Sequence, residues 1–267
     1  RETGIVVKRA LFLPPFDDLA DVRVLAGLAA EAESAGWDGV FLWDHVLRPD
    51  PPRPVADPWI ALAALAMRTE RVRLGTMVTP LARRRPQKLA REVATLDHLS
   101  GGRVTLGLGL GVDTGRELSG FGEPVIGAAE RGDLLDEGLP LLRAMLRGER
   151  IDHHGRFFTA DGVTLVPAAL QRPVPIWMAV RTSNRRPARR AATVDGIFPI
   201  ELSPAEVGEL LGVIADERGS LDRFDVVALA SSGFPQSEWE AAGATWWFAD
   251  LAPGATAFDV RALIHGI

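Results

Sequence analysis

A histidine and an aspartate stand side by side where an apolar stretch of the sequence ends. The segment DGVFLWDH (38–45) has the pattern of a buried β-strand that finishes on Trp43, Asp44 and His45. A histidine exchanges a proton near neutral pH, and the aspartate can orient it or contact a cofactor. In the structural alternative, Trp43 belongs to the core and the other two residues only cap the following loop. We favour His45 as an acid–base group.

A second group of polar residues follows another apolar strand, PIWMA. The segment RTSNR (181–185) comes directly before a predicted helix. Hydroxyls, a guanidinium and the free N–H groups of a helix N-terminus together make a good anion site, so Arg181, Thr182 and Ser183 are candidate phosphate ligands. The next arginines are expected to form a solvated helix face: Arg186, Arg189 and Arg190.

Glycines alternate with leucines in VTLGLGLG (104–111), which begins as a strand. Leu106 and Leu108 share one face of that strand with Val104, and Gly107 and Gly109 share the other. We predict that the leucines pack under helices, and that the glycines face inward and leave space for a ligand. A bend at the end of the strand is the alternative. A dinucleotide-binding GxGxxG motif is excluded, because the last glycine leads into a long loop and not into a helix.

The segments around these residues alternate between strand-like and helix-like patterns. Eight strand–helix pairs follow one another, which predicts an α/β fold, a (β/α)8 TIM barrel with buried parallel strands. A doubly wound sheet is the alternative. The rhythm is interrupted only at about residues 112–172, which we expect to be an insertion between strands 4 and 5, with a short hairpin in GRFFTADGVTLVP (155–167). We expect residues 1–267 to form one domain. In such barrels the active site lies where the strands end.

Composition narrows the possible functions. The 267 residues are 47% hydrophobic and contain neither cysteine nor tyrosine, which excludes thiolate chemistry, cysteine-based metal sites and a tyrosine acid. A net charge of −5 argues against general nucleic-acid binding. The chain has no apolar run near the ~20 residues that span a bilayer and no signal-peptide pattern, so we expect a cytoplasmic protein. We expect no metal, because no His-x-His set ends a strand, and the pair His153–His154 lacks a third ligand.

Three stretches together carry a family resemblance. They are AEAESAGWDGVFLWDH (30–45), DPWIALAALAMRTERVRLGTMVTPLARRRPQKLAREVATLDHLSGGRVTLGLGLG (57–111), and PVPIWMA with RRAATVDGIFP (173–199). They resemble the bacterial luciferase-like monooxygenase superfamily of flavin- or F420-dependent oxidoreductases. The resemblance implies FMN or coenzyme F420 bound at the C-terminal end of the barrel. It also implies a small-molecule substrate, a homodimer and, for a monooxygenase, a separate flavin reductase as partner.

The resemblance also assigns roles to residues. His45 matches a histidine that is often catalytic. The segment Thr76, Met77 and Val78 resembles a bulge that supports the flavin face through a non-prolyl cis peptide, which falls between Met77 and Val78. The remaining assignments concern cofactor binding, with the glycines near its tail and the arginine loop on its phosphate: Asp44, Gly107, Gly109, Gly111, Arg181, Thr182 and Ser183.

The chain departs from relatives that oxidise glucose 6-phosphate. Val112 stands where they carry a catalytic glutamate, and Pro49 where they carry a tryptophan, so this substrate is not expected. Leu110 replaces a phosphate-binding arginine of luciferases, and Val180 replaces a glycine. The leading hypothesis is an enzyme that works by hydride transfer at flavin N5 or, with reduced FMN, by oxygen activation at C4a. The alternative is a catalytically inactive flavin-binding barrel.

Overall fold

Eight parallel strands close into a barrel in the computed structural model, which describes residues 7–48, 51–182 and 184–266. The strands, with a hairpin (β5 and β6) outside the barrel, are β1 (Lys8–Leu13), β2 (Gly39–Leu42), β3 (Arg73–Pro80), β4 (Val104–Gly109), β5 (Arg150–His154), β6 (Thr159–Thr164), β7 (Ile176–Val180), β8 (Gly196–Pro199), β9 (Asp225–Leu229) and β10 (Trp246–Asp250). Around the barrel their order is β1-β10-β9-β8-β7-β4-β3-β2. The predicted (β/α)8 barrel is therefore confirmed, and the doubly wound alternative is wrong.

Helices surround this barrel. They are α1 (Val22–Ser34), α2 (Pro58–Ala66), α3 (Pro86–Ser100), α4 (Ala128–Arg147), α5 (Arg185–Ala192), α6 (Pro204–Arg218), α7 (Gln236–Ala241) and α8 (Ala257–His265). The predicted N-cap of α2 is confirmed, because the Asp57 carboxylate accepts hydrogen bonds from the N–H groups of Trp59 and Ile60. None of the helices in the described part of the chain is long and apolar enough to cross a bilayer.

The apolar stripe of α3 differs from the predicted one at its end. Leu89, Val93 and Leu96 are buried as expected, but Leu99 is exposed. With 3.6 residues per turn, the buried face passes from Leu96 to Ser100, which leaves Leu99 on the solvent side. Gly101 ends the helix in the left-handed conformation with φ 68°.

The barrel interior is filled by side chains, most of them aromatic. The Phe41 ring stacks on Phe248 at a centroid distance of 4.7 Å and on Trp177 at 5.4 Å. The buried members of this interior cluster are Ala10, Phe12, Phe41, Met77, Trp177, Phe198, Val227, Trp246 and Phe248. Leu106 and Leu108 belong instead to the layer between the barrel and its helices, as predicted. A binding site must therefore lie at an end of the barrel.

The insertion between β4 and β7 consists of a loop, helix α4 and the hairpin β5–β6. The hairpin begins at Arg150, earlier than the predicted 155–167 segment, and its turn lies at residues 155–158. The Glu137 carboxylate on α4 accepts hydrogen bonds from the backbone N–H groups of Phe157 and Phe158 in that turn. These bonds hold the turn against α4, which the local apolar pattern does not reveal.

Candidate active site

Apolar side chains close the interior at the C-terminal mouth, meaning the end of the barrel at which the strands finish. They are partly exposed and pack on the aromatic interior. Each lies at the end of a different strand or directly after it, and together they form what we call the apolar floor: Trp43, Val78, Ala179, Ile200 and Leu229. The floor also contains polar groups. The indole N–H of Trp43 is buried and has no hydrogen-bond partner in the described part of the chain. The His45 ring lies beside the Trp43 ring.

His45 is held at the edge of this floor by a carboxylate from another loop. Its Nδ1 atom lies 3.0 Å from Oε2 of Glu117. The ring packs near Phe16 and Trp43, with centroid distances of 5.8 and 6.0 Å, and 30% of the side chain stays exposed. Within the described residues, Nε2 has no hydrogen-bond partner. One ring nitrogen is thus fixed, and the other is available.

Glu117 is a functional candidate that the sequence did not reveal. It lies in the loop after β4, and only 4% of its side chain is exposed. One oxygen accepts a hydrogen bond from the Val46 N–H at 2.6 Å, and the other forms an ion pair with Arg83 Nη1 at 2.5 Å. Burial raises the pKa of Glu117, but the His45 hydrogen bond and the Arg83 charge lower it more, so the net pKa lies below the ordinary value. The carboxylate is therefore ionised.

Asp44 is fully buried and its carboxylate is turned toward protein partners. Its oxygens accept from the Thr79 hydroxyl at 2.6 Å, from Arg83 at 3.0 Å and from Arg84 at 2.9 Å. His45 is not among its partners, because adjacent residues of an extended chain point to opposite sides. Of the two roles open to Asp44, orienting His45 is therefore excluded, and Glu117 contacts His45 instead. The contact of Asp44 with a cofactor stays a prediction.

The bulge in β3 has the predicted form. The peptide between Met77 and Val78 is cis, and the pairing of β3 with β4 shifts register between Thr76 and Thr79. The two threonine hydroxyls lie 2.8 Å apart. Because Thr79 donates its proton to Asp44, Thr76 donates to Thr79. The side chains of Thr76 and Met77 are buried, and only Val78 reaches the apolar floor, so the first two lie beneath it and their contact with a cofactor stays a prediction.

The space beside the glycines of β4 is filled by this bulge. A Cβ on Gly107 would collide with the Thr76 carbonyl and lie 2.6 Å from Met77 Sδ. A Cβ on Gly109 would lie 2.6 Å from Cγ2 of Val78. The glycines do face inward, but the neighbour that requires the space is β3 and not a ligand. Any contact of these glycines with a cofactor stays a prediction.

Gly111 has a different requirement. Its φ is +71°, in the left-handed region, and a Cβ there would lie 2.6 Å from the Pro80 side chain. This glycine lets the chain turn out of β4 into the loop that carries Glu117. Its assignment to cofactor binding also stays a prediction.

The arginine loop after β7 is open to solvent. Arg181 is half-exposed and pairs with the exposed Glu201 at 2.6 Å. The Thr182 hydroxyl accepts from the Asn184 N–H at 3.2 Å. Ser183, the third predicted ligand, lies outside the described residues. The loop does precede the N-terminus of α5 as expected, and its phosphate-binding role stays a prediction.

The arginines of α5 do more than cover a solvated face. Arg190 is buried and binds Asp136 on α4 at 2.5 Å, and Arg186 binds the same carboxylate at 2.8 Å. Arg189 pairs with Glu217 on α6 at 2.9 Å. The solvated-face prediction is therefore wrong for Arg190, because its guanidinium ties α5 to the insertion.

The other histidines lie away from the mouth. His98 on α3 binds the Ala168 carbonyl at 2.8 Å, and His153 binds Glu137 at 3.1 Å. The expectation that the pair His153–His154 lacks a further ligand is wrong for His154, because Asp152 and Asp161 lie near it with ligand atoms within 4.8 Å of one another. His154, Asp152 and Asp161 are all exposed, and we assign no metal ion to this group.

Comparisons with known proteins identify the family. Residues 10–241 match the profile of the luciferase-like monooxygenase family. The chain belongs to this family. The resemblance predicted from the three sequence stretches is therefore confirmed.

The curated relatives include enzymes of known activity. The chain is 38% identical over 164 residues to the F420-dependent glucose-6-phosphate dehydrogenase of Beutenbergia cavernae, covering 59% of this chain and 46% of that protein. It is 31% identical over 193 residues to an uncharacterized protein of Mycobacterium tuberculosis, covering 71% and 67%. The chain spans about half the length of the dehydrogenases it matches.

Solved structures share the fold at low sequence identity. An F420-dependent secondary alcohol dehydrogenase, in complex with an F420–acetone adduct, superposes with a TM-score of 0.81 at 16% identity, covering 98% of each chain. A monooxygenase from Streptomyces bottropensis superposes with a TM-score of 0.70 at 24% identity, covering 89% of this chain and 75% of the other. These similarities establish the barrel fold. The activity has to be inferred from the residues of the site.

Proposed function

We propose that this protein is an oxidoreductase that binds FMN or coenzyme F420 at the C-terminal mouth and acts on a small organic substrate. The apolar floor carries the proposal, because five strand ends present a partly exposed apolar surface of the kind that a planar flavin or deazaflavin ring covers. The buried Trp43 N–H supplies an unused donor beside it. These residues fit such a ring, and family membership supports the same assignment.

The two cofactors are both represented among the similar proteins. The Beutenbergia relative is F420-dependent by name, and one similar structure, a riboflavin lyase, contains modified FMN. When bound, either group supplies the hydride chemistry, and reduced FMN can also activate oxygen. The protein supplies orientation and electrostatics. The choice between FMN and F420 depends on contacts to the cofactor tail.

Individual residues of this chain take three roles in the proposal. Val78, supported by Thr76 and Met77, lies under the ring. Arg181, Thr182 and Ser183 bind the phosphate, and Gly107, Gly109 and Gly111 shape the strand end beside the tail. His45 exchanges a proton with the substrate, and its available Nε2 suits that role. Asp44 lies next to the cofactor in this proposal and also holds β3 in place through Thr79.

The substrate is proposed to be largely apolar. The loops after β2 and β4 expose apolar side chains at the mouth, namely Val46, Val112 and Phe121. Val112 also replaces the glutamate of relatives that oxidise glucose 6-phosphate. A small organic molecule with a hydroxyl or carbonyl group fits this surface better than a sugar phosphate does.

Further parts of the proposal concern the protein as a whole. We infer a cytoplasmic homodimer in which residues 1–267 form one domain, supplied by a separate flavin reductase if it is a monooxygenase. The alternative, an inactive flavin-binding barrel, draws support from Leu110, Val112 and Val180. The buried partner of His45 favours the active enzyme, because a site without turnover has no need to fix an imidazole.

Titration of the purified protein with FMN and with F420 separately tests the proposal. We expect at least one of them to bind saturably, with a change in its absorbance or fluorescence. Trp43→Phe removes the unused donor and should weaken binding about fivefold, in proportion to one hydrogen bond. Trp59→Phe is the matched control, since its indole N–H is also buried without a partner but lies on α2. Failure of both cofactors to bind would overturn the proposal.

A further inference from the structure

We propose that Glu117 is a positioning residue that fixes His45 with its proton on Nδ1, so that Nε2 is the nitrogen that exchanges protons with the substrate. The second half of this statement rests on the proposed function. The first half concerns only the chain itself and is tested without cofactor or substrate.

The partners of Glu117 decide the tautomer. The two carboxylate oxygens face groups that can only donate: Oε1 accepts a hydrogen bond from the Val46 N–H at 2.6 Å, and Oε2 forms an ion pair with Arg83 Nη1 at 2.5 Å. Glu117 is ionised between these partners, so it has no proton to offer. The contact of 3.0 Å with His45 therefore requires a proton on Nδ1. Neutral imidazole in water prefers the other tautomer, so the protein imposes this one.

The position of the carboxylate is itself fixed from the barrel. Arg83 is 7% exposed, and its second nitrogen, Nη2, binds the Asp44 carbonyl at 2.7 Å and the Asp44 carboxylate at 3.0 Å. Asp44 in turn holds Thr79 in β3. One guanidinium thus joins the strand that supports the apolar floor to the carboxylate that orients His45. The position of the His45 side chain is therefore fixed with respect to the apolar floor as well as to its own loop.

The other carboxylates of the described loop between β4 and α4 do not contact His45. Asp113 accepts from the Leu118 N–H at 2.8 Å and so stabilises the loop itself. Glu123 is exposed. Within the described residues, Glu117 is the loop carboxylate that contacts His45. This assigns it a role that no feature of the sequence had suggested.

His45 can take and return one proton without a change at Glu117. For an alcohol substrate, the O–H bond breaks and its proton goes to the Nε2 lone pair of His45, so that the ring becomes an imidazolium that keeps Nδ1–H. The electron pair of that bond stays on oxygen and becomes the second bond of the carbonyl as the carbon gives up its hydride to the proposed cofactor. The positive charge then lies 3.0 Å from the Glu117 carboxylate, which stabilises it without accepting the proton. In the reverse direction the imidazolium returns the proton from Nε2.

Nitrogen-15 NMR of the histidine side chains tests the tautomer directly. The purified wild-type protein is compared at alkaline pH with Glu117→Met, which removes both oxygens at similar volume, and with Glu117→Ala. Glu123→Met is the control on the same loop, and His45→Gln assigns the His45 signals among the five histidines. We expect Nδ1–H in the wild type and the control, and a shift toward Nε2–H in both Glu117 variants.

Two results would overturn the proposal. One is an Nε2–H tautomer in the wild type, which decides the matter even if the variants do not fold. The other is an unchanged Nδ1–H tautomer in folded Glu117 variants. With a substrate in hand, Glu117→Met should lower kcat about tenfold or more with cofactor affinity retained. If the tautomer behaves as expected but neither cofactor binds, only the proposed function fails.

Discussion

A Cβ atom on Gly109 would lie 2.6 Å from Cγ2 of Val78, across the boundary between β4 and β3. The contact shows that the glycine-rich end of β4 is shaped by the bulge of the neighbouring strand. Val78 in turn belongs to the apolar floor. The conformation of the floor therefore depends on the absence of a side chain at residue 109.

Gly109→Ala should destabilise the fold by about 1–3 kcal/mol, the usual cost of overpacking a filled site. Urea unfolding measures this loss of stability. The double variant Gly109→Ala with Val78→Ala should recover part of the lost stability, because the colliding Cγ2 atom of Val78 is removed. Gly208→Ala on α6 is the control, since its Cβ would meet nothing within 4 Å, and we expect it to stabilise by about 0.5–1 kcal/mol. An unchanged stability in Gly109→Ala would contradict the contact.

Asp44→Asn should destabilise the protein by about 3 kcal/mol, because it removes one of the two counter-charges of the buried arginines Arg83 and Arg84 and weakens charged hydrogen bonds. Denaturant unfolding of this variant is compared with that of Asp216→Asn, an exposed position on α6. If Asp44 served the cofactor alone, the free energy of unfolding without cofactor would stay unchanged. That result would indicate that the role of Asp44 is direct contact with the cofactor.

Local patterns predicted much of this fold. Apolar runs located the eight strands, and Asp57 and Gly101 bounded helices where the chemistry of helix caps places them. Family resemblance located the cis peptide between Met77 and Val78. The place of His45 at the C-terminal end of the barrel followed from its position after β2, and its catalytic role stays a prediction. These features depend on residues that are near neighbours in the chain or on one strand.

The missed features are contacts between distant residues. Glu117 is 72 positions from His45, and nothing around it in the sequence differs from an ordinary loop glutamate. The sequence around Arg190 resembles a solvated helix face, because its partner Asp136 lies on the distant helix α4. The glycines of β4 indicated correctly that a neighbour lies too close for a side chain, but a single strand cannot show whether that neighbour is a ligand or the next strand.

The contribution of Glu117 to stability should depend on pH. Its pKa is lowered from the ordinary 4.5 in the folded protein, so the fold favours the ionised form. The stabilisation is present above pH 4.5 and is lost as the pH falls through the lower folded value. The difference in unfolding free energy between wild type and Glu117→Met should therefore shrink as the pH falls below about 4.5. A difference that grows over this range would contradict the lowered pKa.

Arg181→Ala should weaken cofactor binding by about 1–3 kcal/mol if its guanidinium makes a charge-assisted bond to phosphate. Inorganic phosphate should compete for the same site. Arg185→Ala, which removes a more exposed arginine at the start of α5, is the control and should change affinity less. Equal affinity in wild type and Arg181→Ala would leave Arg181 as the surface partner of Glu201.

Turnover of His45→Ala at saturating cofactor tests the central claim most directly. General acid–base catalysis contributes about 10²–10⁴ to a rate, so kcat with a true substrate should fall by about that factor. Cofactor affinity should stay within a few-fold of the parent, because the apolar floor is intact and the imidazole lies at its edge. Substrate turnover at the parental rate would contradict the account and would make His45 a structural residue.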